Sequence, residues 1–114
     1  MTLQAMFAFQ KQIKDQHFPN IPDGDNPEFF YHAINGIIRE AIEAGNEDTR
    51  YWKAELRGKA GGDSNYKYKY NREAKINELA DVFREWINAC LHSGISADEM
   101  IEAIANQFQS KLTG

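Results

Sequence analysis

Apolar side chains recur at helical spacing in four stretches of the chain, separated by segments of turn chemistry. From Thr2 to about His17, Leu3, Met6, Phe7, Phe9 and Ile13 predict a first amphipathic helix, with Thr2 able to cap its start and Pro19 just past its end. The prolines, glycine and short polar residues of PNIPDGDN, residues 19 to 26, predict a loop. Asn26 can cap a second helix, Pro27 suits a position whose N–H has no helical partner, and Glu28 favours the positive end of the dipole. On that helix Phe30, Ala33, Ile34, Ile37, Ile38 and Ala41 form a broad apolar stripe.

Beyond Glu47 the helical signal weakens. Leu56 to Tyr70 carries three glycines and alternates tyrosine with lysine, which predicts mostly a mobile basic loop with at most a short extended piece. Asn71 can cap a third helix whose stripe is Ile76, Leu79, Val82, Phe83, Trp86, Ile87, Cys90 and Leu91, with Gly94 as its stop. Ser96 and Glu99 spell a capping box for a fourth helix with an inner face of Met100, Ile101, Ile104, Ala105 and Phe108, fraying after Lys111. The pattern is all-α: a compact bundle of about four helices forming a single domain over residues 1 to 114.

Composition narrows the classes of function. A net charge of −4, with both signs interspersed, gives no footprint for nucleic-acid binding. No apolar run is long enough to span a bilayer, and the expected setting is soluble and cytoplasmic. The single Cys90 cannot close an intrachain disulfide and reads as a buried thiol. His17, His32 and His92 lack zinc spacing and read as surface or satisfied histidines.

The candidate chemistry lies in two acidic couplets, Glu40 with Glu43 and Glu78 with Asp81. Residues at i and i+3 share a helix face, so two such helices side by side would gather four carboxylates, an arrangement that costs free energy unless a cation neutralises it. Glu47 flanks the first couplet, and Glu85 and Asn88 continue the polar edge of the second. Hard oxygen donors suit Mg²⁺ or Mn²⁺, which complete their shells with waters and substrate phosphates. Lys53, Arg57, Lys59, Lys67 and Lys69 could reach such phosphates, Lys53 being the best placed; a solvated surface is the plain alternative. The plain alternative for the carboxylates is an acidic helix face paired with basic residues. The positions four residues on hold Ala44, Glu47, Val82 and Glu85 instead, although Arg39, Lys75 and Arg84 stand nearby.

In this order the motifs resemble the all-α nucleoside triphosphate pyrophosphohydrolases, the superfamily of the dimeric dUTPases and the MazG-like enzymes. REAIE supplies E-x-x-E, NELAD supplies E-x-x-D, and a basic segment lies between them. Asn46-Glu47 with Arg50, Tyr51, Trp52 and Lys53, then Asn88, the closing GISADEMIEAI and Gln10 in FAFQKQI are similar to further stretches of that superfamily. After Asp81 the chain has Phe83, Arg84 and Glu85 where dUTPases have leucine, histidine and phenylalanine, and its length and helix number lie closer to the MazG-like build.

The resemblance implies Mg²⁺-dependent cleavage of a (deoxy)nucleoside triphosphate such as dUTP between the α and β phosphates. It implies Glu40, Glu43, Glu78 and Asp81 as metal ligands, a second-helix glutamate acting on the attacking water, and Lys53 on the phosphates. Gln10 and Asn88 would meet the base, for which Ala33 and Gly36 leave room, and Trp52 would either stack on it or anchor the helix end. A homodimer or homotetramer is implied as well, in keeping with the aromatics Phe29, Tyr31, Tyr51 and Trp52 outside the main stripes. The competing expectations are a non-catalytic helical interaction module and a member that binds nucleotide without turnover.

Overall fold

The computed structural model describes the backbone of residues 1–59 and 72–114 and the side chains of 1–46 and 72–114. Four helices follow one another: α1 (Leu3–His17), α2 (Pro27–Lys59), α3 (Arg72–His92) and α4 (Ala97–Thr113). The expected all-α class and helix number are what the described residues show. Two compact units make up the chain, one of Met1–Ile34 with Arg84–Gly114 and the other of Asn35–Phe83.

Helix starts follow their local chemistry closely. Thr2 accepts a hydrogen bond from the Ala5 N–H at 3.1 Å, and Ser96 accepts from Glu99 N–H while the Glu99 carboxylate accepts from Ser96 N–H, each at 3.1 Å. Each such bond satisfies a first-turn donor that has no helical partner. Two helix ends lie further on than the sequence predicts. α2 continues through Leu56, Arg57 and Gly58 to Lys59, because good helix formers on both sides of a lone glycine offset its cost of about 1 kcal/mol. α4 holds its register past Lys111 to Thr113, where the Gly114 N–H closes on the Ser110 carbonyl at 3.0 Å. Asn71 and the Tyr66–Tyr70 segment lie outside the described residues.

The first unit has the hydrophobic core. Phe7, Ile87, Cys90 and Ala97 are buried together, with Leu3, Met6, Trp86, Leu91, Ile95 and Met100 packed around them. The Phe7 and Trp86 rings meet edge to face at 6.2 Å. Burial raises the pKa of the Cys90 thiol, so it stays protonated at neutral pH. The loop 18–26 is fastened to the turn after α3. Asn26 N–H donates to the His92 carbonyl at 2.6 Å, Asp25 and Ser93 form an isolated antiparallel bridge, and Lys14 Nζ donates to Asp23 Oδ1 at 2.9 Å. Gly94 takes φ +68 there, and a Cβ on it would stand 3.1 Å from the Asp25 nitrogen, so both conformation and space call for glycine.

Several expected inner faces are displaced. On α1 the buried line is Phe7, Gln10 and Lys14, while Phe9 is 51 % exposed and Ile13 is also exposed. Those three share a face by their i, i+3, i+7 spacing, and Phe9 and Ile13 sit about one residue round from it. On α4 Ala97 is buried and Met100 and Ile104 are half-buried, whereas Ile101, Ala105 and Phe108 are exposed. In the second unit Gly36 and Ala44 are buried on α2, with Ile38, Ala41 and Ile42 exposed; Phe30, earlier on the same helix, is exposed too. On α3 Ile76, Leu79 and Phe83 are exposed.

Replacing Ser96 by Ala removes one side of the capping box and is expected to lower stability by about 1 kcal/mol, read as a reduced midpoint in thermal or urea unfolding.

Candidate metal centre

Helix geometry alone puts Glu78 and Asp81 on one face of α3, three residues apart, and Glu40 stands on α2 in the same unit. Carboxylate oxygens of Glu40, Glu78 and Asp81 all lie within 4.8 Å of one another, and all three side chains are half-buried. Oxygens on opposite sides of one divalent cation, at the usual 2.0–2.6 Å from it, are themselves about 4–5 Å apart, so one ion could bridge this set. Glu43, one turn after Glu40, is solvent-exposed and reaches the Glu40 carboxyl by a hydrogen bond. The structure therefore brings three of the four sequence candidates into one cluster and leaves the fourth at its edge.

The electrostatics of the cluster follow from burial and like charge. The Glu40 side chain is 14 % exposed. Its pKa is raised above the ordinary carboxylate value, first by burial, then by its hydrogen bond to Glu43 and the charges of Glu43 and Asp81; Arg39 pulls the other way. The Arg39 guanidinium stands 3.7 Å from Glu40 Oε1, an exposed and loose pairing. Arg84 reaches Glu85 at 3.2 Å. Glu78 Oε2 is fully shielded from solvent and has no hydrogen-bond partner among the described residues. An ionised oxygen left in that state is costly, and a cation is the simplest group that would satisfy it. The donor set is entirely hard carboxylate oxygen, which fits Mg²⁺ or Mn²⁺ better than zinc.

The other candidates are placed as follows. Gln10 is 5 % exposed, and its Oε1 finds no partner among the described residues. Asn88 is half-buried on α3, and both belong to the first unit. Ala33 and Gly36 are buried. Trp52 and Lys53 fall within α2, but their side chains, like that of Glu47, lie outside the described residues, as do Lys67 and Lys69. His17 and His32 are exposed as expected; His92 is not a satisfied histidine, since it is buried with Nδ1 unpartnered among the described residues. His92 and Lys14 are both buried against the expectation from residue type, and for Lys14 the face it shares with Phe7 and Gln10 is a signal present in the spacing. No described helix is long and apolar enough to cross a membrane. The chain matches no protein-family model, no curated protein and no solved structure.

Because the folded-state pKa of Glu40 lies above its unfolded value of 4.5, the folded state binds protons more readily, and stability falls as pH rises through that interval. Metal-free Glu40→Gln protein is thus expected to melt at or above the wild-type temperature at pH 7.5, with the difference closing as the pH approaches 4.5. A variant that melts well below wild type at pH 7.5 would contradict a strained carboxylate there.

Proposed function

We propose that this chain is a divalent-cation-dependent nucleoside triphosphate pyrophosphohydrolase. The observation that carries the reading is the convergence of Glu40, Glu78 and Asp81 from two helices, with Glu78 Oε2 shielded and unpartnered among the described residues. Folding gains nothing from three half-buried carboxylates in mutual contact, so their placement argues for a ligand that offsets their repulsion. The resemblance of REAIE and NELAD to the E-x-x-E and E-x-x-D motifs supplies the reaction class.

In this reading Glu40, Glu78 and Asp81 hold Mg²⁺, which when bound polarises the phosphate oxygens and charge-compensates the cluster. Glu43, exposed at the edge and in contact with Glu40, takes the proton of the attacking water. Its exposure keeps it accessible to solvent. Lys53 neutralises charge developing on the phosphates. The base contacts that the resemblance implies for Gln10 and Asn88 belong to the same reading. The products are the nucleoside monophosphate and pyrophosphate.

Assembly as a homodimer or homotetramer belongs to the same proposal. Its support is the run of exposed apolar side chains in the second unit, with Ile42 58 % and Leu79 54 % exposed beside Ile38 and Ile76. The same residues favour the second reading, a helical interaction module without turnover. The two readings divide on the cation: a module has no reason to hold three carboxylates within bridging distance.

The test is pyrophosphate release from a panel of nucleoside triphosphates with Mg²⁺. Wild-type protein is expected to turn over at least one of them, and Asp81→Asn to lose at least about a hundredfold in kcat/KM, the scale set by removing one preorganised electrostatic group. Glu43→Gln is expected to retain the thermal stabilisation by Mg²⁺ and a non-hydrolysable triphosphate while losing turnover. Absence of both turnover and stabilisation in wild type would overturn the proposal.

A further inference from the structure

The first unit carries a second polar cluster that the proposed reaction does not use. Its centre is His92, the last residue of α3, 5 % exposed, with Nδ1 lacking a partner among the described residues. The imidazole stacks on Phe29 in the first turn of α2, ring centres 5.6 Å apart at 28°. Its main chain is a fastening point: the His92 carbonyl accepts from Asn26 N–H at 2.6 Å, and the next residue, Ser93, bridges Asp25. The side chain whose ring is buried and the backbone that holds the 18–26 loop are therefore one residue.

We propose that His92 is a proton-operated latch: protonation of its imidazole drives the ring out of its stack on Phe29 and releases the 18–26 loop from the turn between α3 and α4.

The physical case rests on what surrounds the ring. From α1 comes Lys14, itself buried, whose ammonium is engaged by Asp23 at 2.9 Å and Asp15 at 3.4 Å. From α3 comes Glu85, two turns earlier on the same helix face. The loop carries Asp25 beside Ser93, and His32 lies across Phe29, its ring 6.4 Å from the phenyl centre. An imidazolium in this place needs an acceptor for a second N–H, and Nδ1 has none among the described residues. Burial and the Lys14 charge disfavour the cation and outweigh Glu85, which favours it; the His92 pKa is accordingly lowered from 6.5.

The sign follows. A histidine held neutral in the closed form contributes nothing adverse above the pKa of the open form, about 6.5, and progressively destabilises the closed form as pH falls below it. The loop fastenings are few and short, so local opening there precedes loss of the apolar core.

The experiment is hydrogen exchange on the full chain, followed by NMR between pH 7.5 and 5.5 and corrected for intrinsic exchange. The Asn26 amide is expected to lose protection by up to about tenfold over that range, while the Cys90 amide in the core keeps its protection. In His92→Phe, which retains a ring for the stack, Asn26 protection should not vary with pH. Asn26 protection that is flat in wild type, that falls equally in His92→Phe, or that falls in step with Cys90 would overturn the latch. Direct titration of the wild-type imidazole signals provides a readout without a variant: an apparent pKa below 6.5 is expected, and one at or above it would also overturn the proposal.

Discussion

Three carboxylates share a half-buried space in the second unit, and that like-charge contact is the constraint around which the rest of the unit is arranged. Its cost is visible in the raised pKa of Glu40 and in the shielded Glu78 Oε2, which has no partner among the described residues. Bringing acids inward on α2 and α3 turns the neighbouring apolar residues outward. Ile38 and Ile42 on α2, and Ile76 and Leu79 on α3, are exposed. α2 and α3 of this unit thus carry both a half-buried set of carboxylate donors and exposed apolar side chains.

The first unit repeats this inversion in a milder form. Its core is conventional where Phe7, Ile87, Cys90 and Ala97 meet, but the α1 face that continues from Phe7 carries Gln10 and Lys14 inward and leaves Phe9 and Ile13 outside. Lys14 is tolerated there because Asp23 and Asp15 accept from its ammonium. Both aspartates have lowered pKa values, Asp23 through its hydrogen bond from Lys14 and Asp15 through its hydrogen bond from Lys11. Gln10 Oε1 and His92 Nδ1 find no hydrogen-bond partner among the described residues.

Local chemistry was legible from the residues themselves. Thr2, Pro27, Ser96 with Glu99 and Gly94 mark their helix boundaries because capping bonds and left-handed backbone depend on the residue at one position. The couplets were legible too, since i, i+3 spacing fixes which carboxylates share a face. Hydrophobic stripes misled where apolar residues outnumber the places that a small core can hold: Ile76, Leu79 and Phe108 fit the helical period as well as Ile87 does, yet only Ile87 is buried. Periodicity names a face, while packing against a particular partner decides which part of a broad apolar face is covered. Nothing in the spacing around His92 distinguishes a buried ring from an exposed one, because its burial comes from Phe29 on another helix.

The central claim is that Glu40, Glu78 and Asp81 form a cation site, and Mn²⁺ binding followed by electron paramagnetic resonance tests it most directly. Free Mn²⁺ gives a sharp signal that disappears on coordination. The account predicts saturable loss of that signal with wild-type protein, competition by Mg²⁺, and binding weakened by at least about tenfold in Glu78→Gln, which replaces the shielded oxygen donor. Wild-type protein that leaves the signal unchanged, or a Glu78→Gln variant that binds Mn²⁺ as tightly as wild type, would contradict it.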